Sequence, residues 1–144
     1  MRLGRFVIRR RKTARRRRRR APLDAKHYGI HKETAREMVH ARLTHWNQFY
    51  GHSFGRVAIR NQRSRWGSCS SKRNLNFNYR IVFLPEHLVD YIIVHELCHL
   101  EHFNHSKNFW DAMARTMPDF HIRKQELFAI PLHQIAHESL TGAN

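Results

Sequence analysis

The stretch Tyr91-Ile-Ile-Val-His95-Glu96-Leu-Cys-His99-Leu-Glu-His102-Phe-Asn-His105 decides how the rest of the chain is read. It holds an H-E-x-x-H core, with another histidine six residues beyond it. Successive residues of an α-helix rotate by about 100°, so His95 and His99 end about 40° apart, one turn above the other. Two imidazoles can then reach one ion. Glu96 sits about 100° round the helix, out of reach as a third ligand but placed to take a proton from a water at that ion. The pattern predicts a hydrolase built on one zinc ion.

The five-letter motif is weak evidence in a chain with 13 histidines among 144 residues. A shuffled sequence of this composition contains it about one time in twenty. Its setting strengthens it. Leu88, Val89, Ile92, Ile93, Val94, Leu97 and Leu100 make the helix apolar almost all round, as a buried central helix requires. Pro85, with Glu86 in the first turn, marks its start.

Four residues compete as third ligand: His102, His105, Glu101 and Glu126. His102 shares the azimuth of His95 to within about 20°, yet it is about 10 Å further along the axis, while zinc–nitrogen bonds are about 2 Å. Glu101 points about 240° away from His95. His105 can be swung back by a turn at Phe103-Asn104, and Glu126 could arrive from a later helix. The reading favours His105 and leaves Glu126 open. The eighth position of the metzincin pattern, normally a turning glycine, is His102 here, so the chain departs from that pattern.

Working outward, Ala35, Val39, Leu43, Trp46 and Phe49 or Tyr50 predict a helix over 31–50, stopped by Gly51. From Gly55 the apolar period changes to two. Val57 and Ile59 read as a strand. Leu75, Phe77, Tyr79, Ile81 and Phe83 then predict a half-buried strand whose other face carries Asn76, Asn78 and Arg80. If that strand lies at a sheet edge, Asn76 and Asn78 line a substrate cleft. Ser70 to Asn74 reads as a turn, so a hairpin or meander precedes the central helix. Ser106 and Asp119 are candidate caps for two later helices. The first carries Phe109, Trp110 and Met113, and the second carries Ile122, Leu127 and Phe128 until Pro131. Trp66 and Trp110 read as core aromatics, and Cys69 and Cys98 as small buried thiols.

Charge is uneven. Of 27 Lys and Arg, 12 fall in residues 1–20 with no acid, so the net +16 divides into +12 for that segment and +4 for the remainder. The high pI therefore belongs to the tail and does not make the domain a nucleic-acid binder. Arg15, Arg16, Arg17, Arg18, Arg19 and Arg20 form a like-charge block that either anchors on nucleic acid or another polyanion, or is simply solvated. Residues 1–25 are expected to be a basic tail, 26–132 the domain, and 133–144 a C-terminal tail. Two cysteines make no disulfide framework, and no secretory or membrane-length apolar run is visible, which points to the cytoplasm.

Arg65-Trp-Gly-Ser-Cys-Ser, Leu84-Pro85, Asp90-Tyr91 leading into His95-Glu-Leu-Cys-His, Asn104-His105-Ser106 and Phe109-Trp110 together resemble the YgjP-like metallopeptidases, over about residues 30–130. These are small zincin domains related to the minigluzincins. The resemblance implies an α+β, zincin-like fold. A small antiparallel or mixed sheet of about three strands would pack on the active-site helix, with an N-terminal helix and two C-terminal ones. It also implies zinc held by His95, His99 and His105, with Glu96 as base.

The main functional reading is a zinc metallopeptidase acting on a peptide or protein substrate. Tyr91, His102 and Arg65 are the candidates for oxyanion or substrate contacts. A second reading is a nucleoside triphosphate pyrophosphatase, with Arg60, Arg63, Arg65, Lys72 and Arg73 on phosphates, although no Gly-rich phosphate loop is present. A third is a nucleic-acid-associated binding protein with a structural metal, which would have no need of Glu96.

Overall fold

The computed structural model describes residues 22–132 and 135, so the arginine block and all of the C-terminal tail but residue 135 lie outside the described residues. The chain runs α1 (Pro22–Tyr50), β1 (Val57–Arg60), β2 (Gly67–Cys69), β3 (Leu75–Asn78), a 3-10 turn (Tyr79–Phe83), α2 (Glu86–His99), α3 (Lys107–Ala114) and α4 (Phe120–Phe128). This is the α+β arrangement expected: a three-stranded sheet, the central helix α2, one helix before it and two after. Among the described residues no helix is long and apolar enough to cross a membrane.

α1 starts at Pro22 rather than at 31, and buries the expected stripe of Ala35, Val39 and Leu43 against the core. It ends where Gly51 takes φ of +64°, a left-handed conformation that suits glycine. Asn47 then holds the exit, its side chain accepting from the His52 N–H at 2.9 Å and donating to the His52 carbonyl at 2.8 Å.

The sheet order is β1-β3-β2, with β1 parallel and β2 antiparallel to β3. β3 is therefore the middle strand, and Asn76 and Asn78 do not line an edge. The strand also stops earlier than its alternation suggests. After Asn78 the backbone tightens into the 3-10 turn, because the Asn78 carboxamide oxygen accepts from the Arg80 N–H at 3.0 Å. The period-two pattern predicts a solvent face for Asn78 and Arg80, yet both are almost fully buried. Both side chains bond the segment between β1 and β2. Asn78 Nδ2 donates to the carbonyls of Gln62 and Arg65, and Arg80 Nη1 donates to Asn61 Oδ1 and the Gln62 carbonyl.

α2 is covered by α1, β2, α3 and α4. Every apolar residue expected to make it a core helix is buried, from Leu88 to Leu100. Each such side chain contributes about 1.5–3 kcal/mol when fully removed from water. Arg42 of α1 ties down the polar side of the helix, gripping Asp90 through two bonds of 2.6 and 2.7 Å and pairing with Glu86 at 3.1 Å. In the later helices Phe109, Met113 and Leu127 close the core as predicted, but Ile122 and Phe128 face outward.

The end of α2 is held by the β2–β3 turn. Arg73 adopts φ of +63° and donates from Nη1 to the Leu100 carbonyl at 2.9 Å, while its Nε and Nη2 reach the Ser53 carbonyl. Replacing Arg73 by Ala should lower stability by about 1–3 kcal/mol through these bonds. Replacing it by Gly should do less harm, by about 1 kcal/mol, because glycine relieves the left-handed backbone. Urea denaturation of both variants measures the difference, and a glycine variant less stable than the alanine one would contradict the assignment of strain.

Candidate metal centre

One turn of α2 separates His95 from His99, and their Nε2 atoms lie 3.1 Å apart. His105 returns to the same point, its Nε2 3.2 Å from that of His95. Nitrogens about 2.0–2.1 Å from a tetrahedral zinc stand roughly 3.3 Å from one another, so this spacing fits one ion. The proton inventory fits as well. His99 Nδ1 lies 3.0 Å from the His102 carbonyl, which can only accept, so the proton sits on Nδ1 and the Nε2 lone pair faces the cluster. Burial, reinforced by the charges His99, His105 and Lys124 would carry, pushes the His95 imidazole down to about 3. Burial also lowers His99. Neutral imidazoles with converging lone pairs are a donor set for a cation.

The four ligand candidates separate. His105 joins the cluster because α2 ends at His99 and the chain turns before α3 begins at Lys107. The side chain of His102 lies near Glu101, and its backbone carbonyl is what orients His99. Glu101 faces His52 and His102, and Glu126 pairs with His87. Among the described residues, His95, His99 and His105 form the one cluster able to hold a metal.

Phe109 is the floor of this cluster. Its ring centroid lies 4.9, 4.6 and 5.0 Å from those of His95, His99 and His105. Trp110 stacks on His105 at 5.7 Å and on Phe120 at 5.1 Å. Helical periodicity alone does not distinguish Phe109 from an ordinary core residue; the signal that sets it apart is the Phe109-Trp110 pair in the family resemblance.

Glu96 is 5% exposed, and its Oε2 has no hydrogen-bond partner among the described residues. Burial pushes its carboxyl up to about 8, with the Arg65 cation pulling the other way. The reason it can sit there is Gly67 of β2. A Cβ at that position would meet Glu96 Oε1 at 2.9 Å and the carboxyl carbon at 3.2 Å, closer than side chains pack. The carboxylate lies directly against bare backbone.

A cavity of about 500 Å³ opens over these groups, lined by Arg65, Trp66, Tyr91, Glu96, Trp110 and Lys124 among others. Trp66 and Trp110 are therefore half-buried cavity walls, where core positions were expected. Tyr91 and Arg65 line the cavity and the His102 side chain does not. Burial pushes the Tyr91 phenol up to about 12, with Glu96 adding to the effect. Arg65, Trp66 and Gly67 are presented by the segment that Asn78 and Arg80 bracket from below.

Three comparisons bear on the site. The family described as YgjP-like, metallopeptidase domain, matches residues 6–129. No curated protein matches the chain. Among solved structures, the chain is similar to the metallopeptidase zymogen abylysin of Pyrococcus abyssi. The identity is 23% and the TM-score 0.58, over 63% of this chain and 92% of that one. At that identity the likeness is one of fold.

Two measurements follow from the geometry. His105→Ala should weaken metal binding by more than about 100-fold, since even outer partners of a ligand are worth 10–100-fold. His102→Ala, which keeps the carbonyl, should weaken it by less than about threefold. Competition titration with a chromophoric chelator reads both, and the reverse order would remove His105 from the ligand set. Separately, burial pushes the Cys98 thiol up to about 11, whereas Cys69 is only half-buried. At pH 8 a disulfide reagent should titrate Cys69 first, and Cys98 only on unfolding.

Proposed function

The chain belongs to the YgjP-like metallopeptidase family, and on that premise we propose that it is a zinc-dependent peptidase in which His95, His99 and His105 hold the ion and Glu96 is the general base. The observation that carries this reading is the Glu96 carboxyl, buried beside three converging imidazoles with one oxygen unpartnered. A structural metal site does not require such a group. Zinc bound there would supply Lewis acidity, polarising a peptide carbonyl and making water acidic near neutral pH.

The remaining work falls to the chain's own side chains. Glu96 Oε2 takes a proton from the attacking water and delivers it to the departing amide nitrogen. To accept that proton the carboxylate has to be ionised, a form that burial opposes and that a cation held by the three imidazoles would favour. The Tyr91 hydroxyl, protonated throughout the working range, is the donor assigned to the developing oxyanion. Trp66 and Trp110 exclude bulk water from the walls, which strengthens each of these interactions. Phe109 keeps the imidazole planes fixed.

The nucleotide reading loses its support. Of the basic residues it requires, Arg65 lines the cavity, but Arg73 is spent on the Leu100 and Ser53 carbonyls and Arg60 bonds Asn76. The arginine block, and with it any nucleic-acid partner, lies outside the described residues.

Glu96→Gln should retain metal and lose about 10²–10⁴ in kcat/KM on unstructured protein substrates. Equal activity of the two forms would sink the assignment, as would hydrolysis of nucleoside triphosphates in place of peptides. Gly67→Ala should also retain metal yet lose about 100-fold, since a misplacement of about 1 Å at the reacting groups has that effect. A Gly67→Ala enzyme with full activity would show that the carboxylate tolerates displacement.

A further inference from the structure

The cavity walls are mostly aromatic and aliphatic, but two cations from different elements stand among them. Arg65 comes from the segment before β2, and Lys124 from the first turns of α4. Neither has a carboxylate partner among the described residues, whereas Arg42, Lys107 and Arg123 are each paired with one. Lys124 is instead held over aromatic faces, its Nζ 4.7 Å from the centre of the Trp110 ring and 5.8 Å from that of Phe128. Those contacts fix the ammonium at the cavity wall and leave its hydrogen-bond donors unused by anions. Both cations line the same cavity as His95, Glu96 and His105, so they share the space in which the scissile bond must lie. Among the described residues Glu96 is the only acidic one on the cavity wall, and it is turned against Gly67.

Resting on the peptidase reading, we infer that Arg65 and Lys124 are specificity residues that receive a carboxylate of the substrate beside the bond to be cut. The carboxylate can be an acidic side chain or a free C-terminus, since both present the same planar anion to a guanidinium. The neighbouring aromatic and aliphatic walls, including Leu127 and Phe128, suit an apolar side chain next to it. The two cations are partly open to solvent, so the preference they confer is screened by salt.

The test uses the full chain with its metal and two pairs of matched peptides. One pair differs only in Glu against Gln flanking the cut site, and the other only in a C-terminal acid against an amide. Cleavage of the acid member should be faster in kcat/KM by about tenfold or more in at least one pair, and which pair responds identifies the source of the carboxylate. The ratio should fall towards one in Lys124→Ala and in Arg65→Gln, and should invert in favour of a lysine peptide in Lys124→Glu. Equal rates for both pairs, or a preference that survives both substitutions, would overturn the inference. Failure of the peptidase reading is distinguishable, because binding can be followed in Glu96→Gln through the fluorescence of Trp66 and Trp110. If no peptide is cleaved, tighter binding of acid than of amide, lost in Lys124→Ala, still supports the carboxylate site. Equal binding, or inorganic phosphate binding more tightly than either acid, rejects it.

Discussion

A helix that is apolar on every side has to be covered on every side, and α2 imposes that constraint on the whole domain. α1 covers one flank, β2 another, and α3 and α4 fold back to complete the enclosure. The enclosure is left open where His95, Glu96 and Tyr91 face the cavity. Because the surrounding side chains are packed, those polar groups cannot relax away from each other. Their unfavourable desolvation is balanced by the apolar burial along the rest of the helix.

The electrostatics of the site follow from that enclosure. Desolvation is the largest influence on His95, His99, Glu96 and Tyr91 alike, and it drives each towards its uncharged form. Uncharged imidazoles are the form that ligates and a protonated phenol is the form that donates, whereas Glu96 has to lose its proton to act as a base, which a bound cation would favour. A single physical cause therefore readies His95, His99 and Tyr91 for different tasks. The protein needs no separate device for each. Only the tautomer of His99 is set individually, by the His102 carbonyl.

What could be read from the sequence was whatever depends on local periodicity. The azimuths of His95, Glu96 and His99 follow from the helix alone, and the rejection of His102 as a ligand follows from rise per residue. The strand beginning at Leu75 and the helix stripe from Ala35 were equally visible. What was hidden depends on tertiary approach. Gly67 looks like any glycine in a short polar segment until Glu96 is placed 2.9 Å from where its Cβ would be. Lys124 looks like a solvated charge on a surface helix until α4 is folded over the cavity. Trp66 and Trp110 look like core residues because a large aromatic is usually buried, and composition cannot say that one face of each borders an opening.

The strand that ends at Asn78 departs furthest from its sequence pattern. Alternation ran on through Phe83, and the apolar half of the pattern was right, since Tyr79 and Ile81 are buried. The polar half does not face solvent, because a second demand overrides the pleat. The segment between β1 and β2 has to be pinned with its carbonyls satisfied, and Asn78 and Arg80 are the residues that satisfy them. An exposed strand face could not do this, so the backbone turns inward and the side chains are buried with their partners. The Asn78 N–H also bonds the Trp66 carbonyl at 2.8 Å, which sets Gly67 in register against Phe77. That register brings bare backbone to Glu96. The position at which the simple period breaks is thus the position that connects the sheet to the reacting carboxylate, and the exception to the pattern carries more about function than the pattern does.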